Sequence, residues 1–327
     1  MSRNGHPYST VIPAIALVAI VSSGGCGEAA APVPAASPDL LRIGYSTRTP
    51  LHAAVGEVFA HTEILQGLGF TPELVPFVRG KDQHEHCAAG RIDATFSCEV
   101  PALVHLERLP EMQLVGSAGE LGDIALVVPQ GSSIHSVADL RDRRVALVGG
   151  ASADLALDGW LRGADLRRQL DVWVDGHGGQ GETAIDALGR GAADAVVIWD
   201  PWLTAAVQQH GLRVVESTPF WSVVAVFDGH PAVDDAGPYL AALGDALAYI
   251  AAHPDEVAGW VAPTVGISEE AVQAVLAKNR YVGGAAAAGL TLSEPVMERL
   301  KACERHARAT GEVAPAFRIA DRLRGAP

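Results

Sequence analysis

From Leu41 onward, short runs of apolar and β-branched residues alternate with longer stretches whose apolar positions recur every three or four residues. The first pattern predicts strands, the second predicts amphipathic helices, and their alternation marks an α/β protein with mostly parallel sheets. "LRIGYS" at 41–46 predicts a strand, 50–65 a helix, 71–78 a second strand, 82–90 a short helix and 93–98 a third strand. The order then recurs as a strand at 143–150 ("RRVALVGG"), helix 152–164, strand 171–176, helix 181–191, strand 194–199 and helix 201–210. Two further apolar runs, 123–132 and 220–228, predict crossovers between the halves. Beyond about Gly229 the pattern is helical, over 237–261, 268–279 and 293–311. Ser268 followed by Glu269 and Glu270 is an ordinary helix start, and these helices are expected to pack back onto the first half.

The repeat extends to individual residues. "AGRIDATFSCEVPAL" and "GRGAADAVVIWDPWL" both run Gly, two residues, Asp-Ala, a strand, an acid, Pro and a helix. Gly90 thus corresponds to Gly191, Asp93 to Asp194, Ala94 to Ala195 and, with one extra residue before Pro101, Glu99 to Asp200. A glycine closing a helix supplies a left-handed cap. The aspartates before the strands are expected to satisfy their own backbone.

The N-terminus differs in character. Arg3 precedes "VIPAIALVAIV", about half the roughly 20 residues needed to span a bilayer, which predicts an export signal over residues 1–26. The run ends in "SSGGC", and small residues leading into Cys26 resemble a bacterial lipobox, although Ser23 stands where leucine is usual. Lipid attachment at Cys26 and plain secretion both fit. Residues 27–40, rich in Pro and Ala, read as a tether. Cys87, Cys98 and Cys303 then remain, an odd number that leaves at least one thiol unpaired in an oxidising compartment, with Cys87 and Cys98 able to pair only if their backbones approach. A formal net charge of -14, with no basic run interleaved with aromatics, sets nucleic acid aside.

In parallel sheets ligands meet the carboxyl ends of strands, where helix N-termini converge. That rule nominates Ser46, Thr47 and Arg48 after the first strand, Asp82 after the second, and Ser97, Cys98 and Glu99 after the third. The second half offers Gly150 and Ser152, then Gln180 and Glu182, then Trp199, Asp200 and Trp202. Each has a plainer alternative. Asp200 before Pro201 is a good helix cap, the glycines suit turns, and the tryptophans suit a core. Glu99 is a poor cap and requires water, a cation or a donor. If Asp82 caps a helix, His84 and Cys87 share a face and His86 does not. His84, Cys87 and Cys98, completed by Glu99 or His52, are then a conceivable zinc, copper(I) or metalloid set, but the spacing fits no standard zinc pattern and a solvated helix accounts for the histidines equally.

Together the two-part order, "AAGRIDATF", "GRGAADAVVIWDPW" and the tail "AHPDEVAGWVA" with "GISEEAVQAVL" resemble periplasmic solute-binding proteins of ABC importers over about residues 41–320. The group in question binds nitrate, sulfonates or taurine and includes thiamine-pyrimidine precursor binders. The resemblance implies a type II binding-protein fold: lobe 1 at 41–128, lobe 2 at 129–221, and a return to lobe 1 with C-terminal helices at 222–327. It implies an exported monomer that holds a small molecule between lobes, hands it to a membrane permease, and uses no cofactor and no catalysis. Arg48, Ser46, Thr47 and Ser152 suit an anion, whereas Glu99, Glu182 and Asp200 favour a neutral or cationic aminopyrimidine-like compound over a bare anion. Two contrasting expectations are a metalloid-binding sensor accessory using Cys87 and Cys98, and a pyrimidine-synthase-like enzyme. For the enzyme, Lys81 is the only lysine near the strand ends and the cysteine-rich run is absent.

Overall fold

The computed structural model describes residues 39–78, 80–148, 151–167, 171–173, 180–227, 236–278, 280–281, 290 and 292–324. The first half contains β1 (Leu40–Ser46), α1 (Pro50–His61), α2 (Ile64–Gly67), β2 (Thr71–Phe77), α3 (Gly80–Ala88), β3 (Ala94–Cys98) and α4 (Glu99–Arg108). A long strand β4 (Met112–Pro129) leads to β5 (Val145–Leu147), α5 (Ser152–Gly163), β6 (Asp171–Trp173), α6 (Gln180–Gly189), β7 (Ala195–Trp199) and α7 (Trp202–Gln209). The chain returns along β8 (Leu212–Phe227) and finishes with α8 (Gly237–Ala252), α9 (Pro254–Val265), α10 (Glu269–Lys278), the short β9 (Arg280–Tyr281) and α11 (Glu294–Thr310).

Two helices expected to be continuous are each divided in two. The backbone turns extended at Thr62, whose N–H and hydroxyl both donate to the Val58 carbonyl at 3.0 and 2.7 Å and so close α1. His253, at φ -129°, precedes Pro254, and the proline ring disfavours helical geometry in the residue before it while suiting the first position of α9.

The two crossovers are strands, as expected, but longer than the apolar runs that predict them. They span 18 and 16 residues and pair with each other along nearly their whole length. One sheet results, in the order β2-β1-β3-β8-β4-β7-β5-β6 with β9 on β4. β1 is parallel to β2 and β3, and β5 is parallel to β6 and β7. The two parallel half-sheets are joined by the antiparallel β4/β8 ribbon, β3 pairing with β8 and β7 with β4.

Period-two alternation along the ribbon puts helices on both faces. Val224 and Val226 join Ile43, Phe59, Tyr239 and Leu247 under α1 and α8. Val223 and Ala225 join Leu103, Leu300 and Cys303 under α4 and α11. Ala125 and Val127 pack with Ala184 of α6 and Leu203 of α7.

The repeat closes with a matching ion pair in each half. Asp93 accepts from the Arg42 backbone N–H at 2.8 Å and from its guanidinium at 2.9 and 2.7 Å. Asp194 does the same with Arg144, at 2.8, 3.2 and 3.2 Å. The aspartates therefore lock the first strand of each half to the third. Gly90 and Gly191 hold φ at 63° and 67° just before them, a left-handed geometry that side chains rarely adopt. The carboxyl of Asp194 is held below its usual range, chiefly by its hydrogen bond from Arg144.

Two further ion pairs connect residues 129–221 to the C-terminal helices outside the ribbon. Lys278 of α10 lies 3.3 Å from Asp200. His306 of α11 is buried, with Nδ1 2.9 Å from Asp158 and Nε2 3.8 Å from Asp154, both on α5. Burial disfavours the imidazolium, but Asp154 and Asp158 outweigh it and raise the histidine to about 9.

Two outcomes follow. Side-chain exposure is 15% and 5% in the Arg42–Asp93 pair against 43% and 29% in Arg144–Asp194. Asp93→Ala should therefore cost about 3 kcal/mol in urea denaturation and Asp194→Ala about 1 or less; equal losses would contradict the difference. For His306 the folded-state value lies above the ordinary one of about 6.5. Its stabilising contribution should be complete below pH 6.5 and vanish as pH rises through 9, on the order of 1–3 kcal/mol. Melting temperatures from pH 6 to 10 should converge with those of His306→Gln; parallel curves would argue against it.

Candidate functional site

Strand register places the site. Cys98, the last residue of β3, lies opposite Ser222 of β8, which lies opposite Gly119 of β4. Trp199, the last residue of β7, lies opposite Ile124 of β4. Since β3 and β7 run in opposite directions, their carboxyl ends face each other over the middle of the ribbon, separated by the stretch Gly119–Ile124, about 16 Å at some 3.3 Å per residue. β1 brings Ser46 level with Ser97 and Phe77, and β5 runs beside β7 and leads toward the start of α5 at Ser152. In this central stretch the ribbon is bulged, with register shifts between Ser117 and Gly119 and between Glu120 and Gly122. Gly119 and Gly122 take φ of 114° and 109°, which only glycine adopts readily.

The nominated residues divide into three groups. Ser46, Thr47, Arg48, Ser97, Cys98 and Ser152 stand at strand ends or helix starts as expected. Thr47 donates through N–H and hydroxyl to the Phe77 carbonyl at 2.9 and 3.2 Å. Ser46 Oγ accepts from the Arg48 N–H at 3.2 Å. These bonds fix the loop that carries Arg48, which is half-buried and whose guanidinium makes no hydrogen bond or ion pair among the described residues. Ser152, the first residue of α5, is buried, and its hydroxyl has no hydrogen-bond partner among the described residues. Such an orphan costs about 1–3 kcal/mol until an acceptor or donor reaches it.

The second group is engaged within the protein or placed otherwise than expected. Glu99 is fully buried: the Trp221 N–H donates to one carboxylate oxygen at 3.1 Å, and Arg299 donates to the other at 3.1 Å with a second nitrogen at 3.0 Å. It ties α4 to β8 and α11, and both its oxygens are engaged within the protein. Asp200 is 2% exposed and accepts from the N–H and hydroxyl of Thr204 at 3.0 and 2.5 Å, besides pairing with Lys278. It caps α7. Asp82 lies within the first turn of α3 instead of capping it, because the helix starts earlier, at Gly80. Trp199 and Trp202 pack edge to face, centroids 5.8 Å apart, each half-buried against core.

The third group is only partly described. Gly150 lies outside the described residues, as do the side chains of Gln180 and Glu182 in α6.

The thiols do not assemble a metal site. Cys87, Cys98 and Cys303 are all free, and burial pushes Cys87 up to about 12 and raises the other two. His84 stacks with His105, centroids 5.6 Å apart. Among the described residues no three of His, Cys, Asp and Glu are disposed to hold a metal ion, so His84, Cys87 and Cys98 form no such set.

Several residues at the ribbon's centre carry no local sequence signal. His52 Nε2 lies 2.9 Å from Ser222 Oγ, and Ser117 donates to the Ser222 carbonyl at 2.7 Å. Burial lowers His52 to about 3, so the imidazole is neutral and serves as a fixed dipole. The partners are 170 and 105 residues apart, beyond any periodicity.

If Glu99 is an anchor, Glu99→Gln should lower stability by about 3 kcal/mol, the cost of stranding Arg299, and leave ligand affinity within about twofold. A drop in affinity at unchanged melting temperature would return Glu99 to the site.

Comparison with known proteins adds a family. A model described as "ABC transporter, phosphonate, periplasmic substrate-binding protein" matches residues 60–236. A protein of Escherichia coli (strain K12) with a provisional name as an aliphatic sulfonates-binding protein is 28% identical over 184 residues, 55% of each chain. One of Bacillus subtilis (strain 168) with the same name is 25% identical over 218 residues, 64% of each. The chain thus matches less than two thirds of these relatives. Among solved structures, the periplasmic aliphatic sulphonate binding protein SsuA from Escherichia coli superposes with a TM-score of 0.74 at 21% identity, covering 89% of this chain and 94% of that one. A mutant of the desulfurization enzyme DSZB, in complex with biphenyl-2-sulfinic acid, superposes with a TM-score of 0.64 at 18% identity, covering 87% and 96%. These likenesses establish the two-lobed α/β architecture.

Proposed function

The chain belongs to the family of ABC-transporter periplasmic substrate-binding proteins typed by phosphonate, and from that premise we propose that it captures a small organic oxyanion, sulfonate or phosphonate in kind, and delivers it to a membrane permease. The supporting observation is one of charge. The guanidinium of Arg48 stands at a strand end with no partner among the described residues, while Glu99 and Asp200, two of the three carboxylates that would repel an anion, are buried and paired. The side chain of the third, Glu182, lies outside the described residues. The balance therefore moves from an aminopyrimidine-like compound to an anion. The unsatisfied Ser152 hydroxyl and the start of α5 supply further donors, the helix dipole adding about 0.3–1 kcal/mol. The names of the sulfonate-binding relatives agree in ligand class.

In this reading the halves, 41–128 with 222–327 and 129–221, close over the ligand by bending the bulged centre of the ribbon, and no bond is made or broken. DSZB indicates that the fold also carries an enzyme. Against catalysis here stands the thiol at the strand end, Cys98, which burial keeps protonated and thus a poor nucleophile. The protein is exported under this reading, with a lipid on Cys26 as its attachment; residues 1–38 lie outside the described structure. Among the described residues no helix is long and apolar enough to cross a membrane.

Calorimetric titration with alkanesulfonates, alkylphosphonates, nitrate and aminopyrimidines tests the ligand class. A sulfonate or phosphonate should bind best, and Arg48→Ala should weaken it about 10- to 100-fold, the worth of one charge-assisted hydrogen bond. Preference for an aminopyrimidine, with Arg48→Ala indifferent, would reject the anion reading. Turnover of any compound would reject the non-catalytic one.

A further inference from the structure

Between helices α5 and α11, on the flank of the ribbon, lies a groove of about 600 Å³, a volume suited to a small ligand. None of the strand-end residues nominated for the cleft lines it. Its apolar part is formed by Trp160, Leu161 and Leu166, and its rim carries Arg162, Arg167 and Arg305. Two other cations in its walls are already balanced: Arg299 by Glu99, and His306 by Asp158 and Asp154. The guanidiniums of the three rim arginines make no hydrogen bond or close ion pair among the described residues, Arg305 feeling Glu298 only at longer range. All three line one groove in a chain whose net charge is -14 and whose overall field repels anions.

We propose that this groove is a second ligand site, for an amphiphilic organic anion. A sulfonate, phosphate or carboxylate head would take paired N–H bonds from the guanidiniums, whose planar forks match such oxyanions. A short hydrocarbon or aromatic body would lie on Trp160 and the leucines, removing apolar area from water at about 25 cal/mol per Å². A bare inorganic anion leaves the apolar part uncovered, and a neutral hydrocarbon leaves the arginines unmatched; only a molecule with both features uses the whole groove. The site stands apart from the cleft and does not depend on what the cleft binds.

The test uses the full-length chain carrying Arg48→Ala, which weakens the cleft, and naphthalene-2-sulfonate as the probe in calorimetric titration. Saturable binding is expected, weakened about tenfold or more when Arg162→Ser and Arg305→Ser are added. Both arginines are exposed, so the melting temperature should not move. Affinity indifferent to the double substitution, or no binding by the parent, overturns the site. Flotation with phosphatidylglycerol vesicles separates the source of the anion: arginine-dependent vesicle binding without naphthalenesulfonate binding would assign the groove to a lipid headgroup and overturn the small-molecule site. The cleft reading fails by a different readout, since it rests on Arg48 with Arg162 and Arg305 intact.

Discussion

The pairing of β4 with β8 is the constraint on which the rest of the structure depends. Each parallel half-sheet is hydrogen-bonded to one edge of this ribbon, β3 to β8 and β7 to β4, so two registers determine where every strand end falls. A slip of one residue in either would exchange the faces that pack against α1 and α11, burying the wrong side chains. The bulges at Ser117–Gly122 sit where the ribbon leaves one half-sheet and has not yet joined the other. A regular antiparallel pair of this length resists bending, because each residue is tied by a ladder bond. Interrupted ladder bonds and positive-φ glycines concentrate compliance in the stretch that faces the strand ends.

The chemistry of the cleft follows from which charges the fold neutralises. Counted along the sequence, carboxylates outnumber cations at the strand ends, Asp82, Glu99, Glu182 and Asp200 against Arg48 and Lys81. In three dimensions they separate, because a carboxylate at the start of a buried helix must find donors within the protein or remain unsolvated. Glu99 meets Arg299 and the Trp221 amide, and Asp200 meets Thr204 and Lys278. Arg48 sits on a half-buried loop where water suffices, and so stays available. Under the anion proposal, selectivity is what remains after the rest of the fold has matched its own charges.

This division also marks what was legible in the sequence. Features that depend on near neighbours were readable: the alternation of strands and helices, the Gly-x-x-Asp-Ala repeat, and the start of α10 at Ser268, whose hydroxyl accepts from the Ala271 N–H at 3.2 Å. One more signal was present and passed over. Arg42 lies 51 residues before Asp93 and Arg144 lies 50 before Asp194, so the repeat already contained both halves of each lock. Glu99 and Arg299 are 200 residues apart, and nothing in local pattern links them. The ribbon's full length was hidden for another reason. Its centre, "GSAGELGD", is rich in glycine and polar residues, which reads as a loop because bulged strand and loop share a composition.

The two ion pairs outside the ribbon bear on how such a molecule moves. Rotation of residues 129–221 about the ribbon must change the distance across Lys278–Asp200, across His306–Asp154/Asp158, or across both. The first joins an ammonium whose side chain is 46% exposed to a carboxylate only 1% exposed, so parting them returns the lysine to water and leaves the buried Asp200 held by its two bonds from Thr204. The second has a histidine side chain only 2% exposed, and separating it from its aspartates would leave a buried charge without a partner. Of the two, parting α7 from α10 strands less, because Asp200 keeps donors within its own helix while His306 loses both carboxylates. Under the proposed closure of the two halves, α5 would therefore stay seated on α11 and the pivot would fall on the His306 side of the ribbon.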